Sequence, residues 1–129
     1  MIPPDTSALY ALSDKADPDS ITAFKEFDGA LRAGETFLIH NYILVESAAL
    51  LQARLGCPTA ARFLKEVKSF DLEWIDQELH EDAEKELERI GTRGVSLADC
   101  ASFIVMRRRR GHQAFTFDPD FEEEGFSFY

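Results

Sequence analysis

Thr36-Phe37-Leu38-Ile39-His40-Asn41-Tyr42-Ile43-Leu44-Val45-Glu46 sets a strand directly against the start of a helix. Thr36–Ile39 has the length and the β-branched and aromatic content of a buried strand. Asn41 can cap the helix that follows, Tyr42–Leu55, and Gly56 stops it. Upstream, Ile2–Pro4 reads as a short extended piece, Thr6–Leu12 as a first helix and Asp17-Pro18-Asp19-Ser20 as a turn. Ile21, Phe24, Phe27, Ala30 and Leu31 then recur at helical spacing as far as Gly34. Downstream, Thr59 can cap a helix whose apolar stripe is Ala60, Phe63, Leu64 and Val67, and Asp71–Ile75 suits a strand. A charged helix follows over Glu78–Ile90, with Leu79, Ala83, Leu87 and Ile90 as its buried edge. Gly91 and Gly94 bracket a loop, and Ser96-Leu97-Ala98-Asp99 forms a capping box for a helix reaching about Arg110. Gly111 ends that helix, and Ala114–Phe117 and Phe126–Tyr129 are the last strands. Short strands interspersed with helices define an α/β domain around a mainly parallel sheet, with helices on both faces. Residues 1–129 show no repeat and no second domain.

The chain has 129 residues, 45% of them hydrophobic, which is enough for one real core. No apolar run is long enough to span a bilayer, and the N-terminus lacks the features of a secretion signal, so a cytoplasmic location is expected. Cys57 and Cys100 form no C-x-x-C pair, and reduced thiols are the expectation. A net charge of −10 argues against a surface that grips nucleic acid everywhere by counterion release. It leaves room for a local cationic patch or a bound divalent ion. The charge is uneven: nine carboxylates and one lysine lie between Asp71 and Glu88, while Arg107–Arg110 is an unbroken basic run.

In parallel sheets, sites form at the carboxyl ends of strands. Asp5 stands where the first strand ends and Asp118 where Ala114–Phe117 ends. Glu46 lies in the second turn of the helix after Thr36–Ile39, and Asp99 opens the helix feeding Ala114–Phe117. All four are therefore directed to one edge. Singly, Asp5 reads as an N-cap, Asp99 as half of a capping box and Asp118 as a turn residue. Glu46 resists so plain an explanation, because its helical neighbours Tyr42, Ile43, Ala49 and Leu50 turn it toward the apolar side, where a carboxylate needs a metal, a base or a proton. Clustered carboxylates without a matching cation suit Mg²⁺ or Mn²⁺, hard ions that take oxygen ligands and assist in-line phosphodiester hydrolysis.

Asp5-Thr6-Ser7-Ala8-Leu9, Val45-Glu46-Ser47, Ser96–Phe103 and Phe115-Thr116-Phe117-Asp118-Pro119-Asp120-Phe121 resemble, in order and spacing, the four motifs of PIN domains, and specifically of VapC-type toxins of toxin–antitoxin pairs. The resemblance covers the whole chain. It implies a three-layer α/β/α domain with a central sheet of about four to five short strands. It also implies a Mg²⁺-dependent endoribonuclease that cuts structured RNA, a cognate antitoxin and frequently a homodimer. On this resemblance Asp5, Glu46, Asp99 and Asp118 are the metal-site acids, Glu46 directly or through water, with Asp120 as a further carboxylate. Thr6 would help hold the first carboxylate or a metal-bound water, with Ser96 also in support. Pro3 and Pro4 depart from the pattern: they remove ladder donors from the central first strand, which should be short and loosely paired.

Arg107–Arg110 has two readings. It is either a helix C-terminus stabilised by cations and partly paired with the acidic helix, or an RNA-backbone contact about 12–16 Å from Asp99 along the helix. His40, His80 and His112 do not read as a metal-free acid–base pair, and Cys100 reads as packing rather than as a nucleophile. The competing functions are a metal-dependent RNA-processing or DNA nuclease without antitoxin, and a catalytically silent PIN binding module.

Overall fold

The computed structural model describes residues 1–129. Its strands are β1 (Leu38–His40), β2 (Asp71–Glu73), β3 (Gln113–Ala114) and β4 (Ser127–Phe128). β1 pairs with β2 and β3 with β4, both parallel. The N-terminal segment joins the two pairs through parallel bridges, Ile2 with Phe37 and Pro4 with Phe115. The result is one parallel array in the order β2, β1, N-terminal segment, β3, β4. The segment is thin for the reason its sequence gives. The Ile2 N–H donates to Thr36 O (2.8 Å) and the Phe115 N–H to Pro3 O (3.0 Å), but the prolines have no N–H to return. Continuing the ladder would have required donors at Pro3 and Pro4 facing the Gln113 and Leu38 carbonyls. The chain regains full pairing only at Asp5, whose N–H donates to Phe115 O (3.1 Å).

Helices cover both faces. On one side pack α1 (Thr6–Ser13), α2 (Ser20–Arg32), α3 (Asn41–Leu55) and α4 (Cys57–Glu66). On the other pack α5 (Gln77–Ile90) and α6 (Leu97–Arg108), and a short α7 (Asp120–Glu123) precedes β4. Successive β1 residues feed opposite cores: Leu38 packs with the α5–α6 cluster around Phe103, Phe121 and Met106, and Ile39 with Leu51, Ile43 and Phe63. Each fully buried side chain of this size contributes roughly 1.5–3 kcal/mol. A third cluster sets Phe37 and Phe115 against α1 and α2. The three-layer α/β/α architecture is therefore as expected.

Several local expectations are corrected. His40, not Asn41, caps α3: its Nδ1 accepts from the Ile43 N–H (3.4 Å), while Asn41 Oδ1 accepts from the Ile75 N–H. Gly56, not Thr59, is the N-cap of α4. The strands are shorter than the apolar runs that suggested them, because ladder pairing stops at Glu73 and, past the Phe115 bridge, gives way to side-chain bonds. The stripe of α2 is only partly buried. Ala23 and Ala30 face the core and Phe27 stacks on Phe37 (4.9 Å between ring centres), whereas Ile21 and Phe24 are 72% and 64% exposed. Ala23, Phe27 and Ala30 share one helical face, whereas Phe24 and Ile21 stand about 100° or more round the helix from Ala23 and so miss the core.

Candidate metal and active site

Asp5 follows the central segment and caps α1. Its Oδ1 accepts from the Ala8 N–H (3.0 Å) and from Ser7 Oγ (2.6 Å), and its Oδ2 from Thr116 Oγ1 (2.6 Å). The two hydroxyls also hold the chain leading to Asp118: Ser7 Oγ accepts from the Phe117 N–H (3.0 Å) and Thr116 Oγ1 from the Asp118 N–H (2.9 Å). Ser7 and Thr116 thus cross-brace the first and fourth acids. Asp5 is 4% exposed, and burial pushes its carboxyl above the ordinary range despite these bonds, with the Asp118 charge adding to the rise.

Asp99 completes the expected capping box: Ser96 Oγ accepts from the Asp99 N–H (3.1 Å) and Asp99 Oδ2 from the Ser96 N–H (3.0 Å). Asp99 is 8% exposed and its pKa is pushed up to about 6. Burial is the main cause, and the charges of Asp5 and Glu46 push the same way. Glu46, half-buried on α3, accepts from Thr6 Oγ1. Thr6 therefore holds the second acid, and the task of holding the first falls to Ser7 and Thr116. Asp118 Oδ1 accepts from the Asp120 N–H (2.9 Å), and the charge of Asp118 helps to raise the Asp120 pKa.

Glu46, Asp99, Asp5 and Asp118 therefore form a connected series of like charges. No three carboxylate, imidazole or thiol groups are drawn into a metal-holding cluster. Each acid is held by its own hydroxyl or amide. None of the ten ion pairs includes any of the four. Hard oxygen donors, partly buried and without a protein cation, fit the needs of a divalent ion such as Mg²⁺.

The basic run lies at the far end of α6, and its neighbours are those of the helix-end reading. Arg107 pairs with Glu86 (2.8 Å) and Glu124 (3.0 Å), Arg108 with Asp82 and Glu78, and Arg109 with Glu73 (2.7 Å). His40 is buried with its pKa lowered to about 4, and so is neutral. With Nδ1 accepting, Nε2 carries the hydrogen and donates to Ser102 Oγ (2.8 Å), tying the start of α3 to α6. Burial raises the Cys100 thiol to about 11, in keeping with packing.

The role of Thr116 gives a direct test. Thr116→Val keeps the shape but leaves a buried Asp5 oxygen and the Asp118 N–H without their shared partner. The expected cost is about 1–3 kcal/mol at pH 7, read as a lower urea midpoint at unchanged m-value. An unchanged midpoint would show that the hydroxyl does not hold the two acids.

A parallel sheet between two helical layers is the architecture of a PIN-domain ribonuclease, and the chain belongs to the VapC-type toxins of that family. It is thereby an endoribonuclease acting on phosphodiester bonds. No protein-family model matches the sequence. The chain is 31% identical over 128 residues to the 23S rRNA-specific endonuclease VapC20 of Mycobacterium tuberculosis, in strains CDC 1551 and H37Rv, covering 98% of this chain and 95% of the relative. The crystal structure of M. tuberculosis VapC20, described as a sarcin–ricin loop cleaving toxin, superposes with a TM-score of 0.87 at 29% identity, covering 100% of this chain and 98% of that one. No helix here is long and apolar enough to cross a membrane.

Proposed function

We propose that the chain is a Mg²⁺-dependent toxin that hydrolyses a phosphodiester bond in a structured loop of 23S rRNA, with Asp5, Glu46, Asp99 and Asp118 holding the metal and a cognate antitoxin restraining it. One observation carries the metal reading: Asp5 and Asp99 are buried carboxyls raised by burial and by the neighbouring charges of Asp118, Asp5 and Glu46, yet no protein cation pairs with any of the four. The RNA target rests on likeness to VapC20 along nearly the whole chain. When bound, Mg²⁺, or Mn²⁺ in its place, supplies an activated water and charge for the attacking and leaving oxygens. The chain supplies position. Ser7 and Thr116 fix Asp5 and the approach to Asp118, Thr6 fixes Glu46, and Ser96 fixes Asp99 at the head of α6.

The test is cleavage of ribosomal RNA with Mg²⁺ and with EDTA, with mapping of the cut and its end groups. The expected result is a discrete cut in 23S rRNA that needs the metal and leaves 5′-phosphate ends. Cleavage undiminished in EDTA, or 2′,3′-cyclic phosphate ends, would indicate attack by the ribose hydroxyl and overturn the metal-water reading. For the antitoxin, expression of the chain alone should arrest growth, and co-expression of a small neighbouring open reading frame should relieve the arrest.

A further inference from the structure

An acidic enzyme that acts on RNA must hold a polyanion against four carboxylates, and the basic run at Arg107–Arg109 is committed to ion pairs at the wrong end of α6. Three arginines take part in no ion pair and in no stacking over a ring: Arg62, Arg93 and Arg110. Arg62 lines the groove between α1, α2 and α4. Arg110 lies beside Met1, Leu38 and Met106, near the C-terminal end of α6.

Arg93 is placed differently. It is exposed at the tip of the turn Thr92–Val95, which the Val95 N–H closes onto Thr92 O (3.4 Å). Val95 is buried in the α5–α6 core and anchors the turn. The following Ser96 is the capping partner of Asp99. On its other flank the turn runs beside Asp120: a Cβ added at Gly94 would stand 3.7 Å from Asp120 Oδ2, and the Asp120 N–H is bonded to Asp118. The turn is therefore fixed between the third and fourth acids, and it carries an unpaired guanidinium at its tip.

We propose that Arg93 binds a phosphate of the RNA strand adjoining the one that is cut. Guanidinium takes phosphate in a bidentate fork, and its charge is not spent on a protein carboxylate. The inference rests on the RNA-cleavage reading above. It places the RNA across the turn before α6, rather than across the arginine run.

The experiment measures kcat and KM on an RNA hairpin with Mg²⁺ over a series of salt concentrations. It compares the parent with Arg93→Gln, Arg93→Lys and, as a charge-matched control on α2, Lys25→Gln. For Arg93→Gln, KM should rise about tenfold with kcat within about twofold. The log–log salt dependence of kcat/KM should become shallower by about 0.7, the loss of one phosphate contact on single-stranded RNA. Arg93→Lys should keep the salt slope and recover part of KM, Lys25→Gln should match the parent, and all melting temperatures should agree. An unchanged KM and salt slope in Arg93→Gln, while the parent cleaves, would overturn the proposal and leave the nuclease reading intact. A KM change that follows a fall in melting temperature and is not rescued by lysine would also overturn it. A parent that leaves RNA intact with Mg²⁺ would sink the nuclease reading itself, and this inference with it.

Discussion

Asp99→Asn is expected to reduce RNA cleavage by about 10²–10⁴-fold while making the metal-free protein more stable at pH 7. The two effects share one cause. Asp99 is buried, the charges of Asp5 and Glu46 push the same way, and its carboxyl is raised to about 6 from the ordinary 3.8. Its folded pKa is raised, so its contribution to stability is fully present below about pH 4 and is lost as pH rises through 6. At pH 7 the ionised group is a burden, of about 1–3 kcal/mol. Asparagine removes the charge, keeps the shape and retains an oxygen that can accept from the Ser96 N–H. A chelated Asp99→Asn protein that melts below the parent would show that Asp99 is a helix cap and little else.

The second large effect falls on His40. His40→Leu should cost about 1–3 kcal/mol at pH 7, because it leaves the Ile43 N–H without its acceptor and removes the Nε2–H bond to Ser102 Oγ that ties α3 to α6, while the Ser102 hydroxyl keeps its bond to Ala98 O. The pH dependence identifies the cause. The folded pKa of His40 is depressed to about 4 from 6.5, so the unfolded chain binds more protons between these values. Its contribution is present above about pH 6.5 and is lost as pH falls through 4. That is the same window as for Asp99, with the opposite sign. In chelator, the contributions of the two groups should therefore largely cancel between pH 4 and 6.5. Asp99→Asn should unmask a loss of stability on acidification relative to the parent, and His40→Leu a relative gain. Parallel pH profiles for the parent and both variants would contradict the assignment.

The parts of the site that depend on neighbours in sequence were legible beforehand. Asp5 before Thr6, and Ser96 three residues before Asp99, are capping signatures that need only one helical turn. Pro3-Pro4 foretold the thin central segment because a missing N–H is a local property. The parallel sheet followed from the alternation of short apolar strands with helices, which serve as the crossovers that parallel neighbours need. What escaped depends on distant partners. Thr116 meets Asp5 across the sheet, 111 positions away, and nothing in its local sequence marks it as the brace between two acids. Thr6 holds Glu46 and leaves the expected hold on Asp5 to Ser7, because adjacent helical residues point about 100° apart and only the packing of α1 on α3 decides which hydroxyl meets Glu46. His40 displaced Asn41 as the cap of α3 because two adjacent acceptors compete for one helix end, and the Ile75 N–H claims the asparagine. The commitment of Arg107–Arg109 likewise depends on where α5, β2 and the end of α7 lie.

The central claim is that Asp5, Glu46, Asp99 and Asp118 act as one metal site. Thermal melts of the parent, Asp99→Asn and Glu46→Gln, each in EDTA and in excess Mg²⁺, test it most directly. Binding to the folded state alone raises the melting temperature, so Mg²⁺ should raise that of the parent by a few degrees. Both variants should respond much less, since each lacks a carboxylate of the shared set. An equal Mg²⁺ shift in all three proteins would mean that the four carboxylates do not form one site.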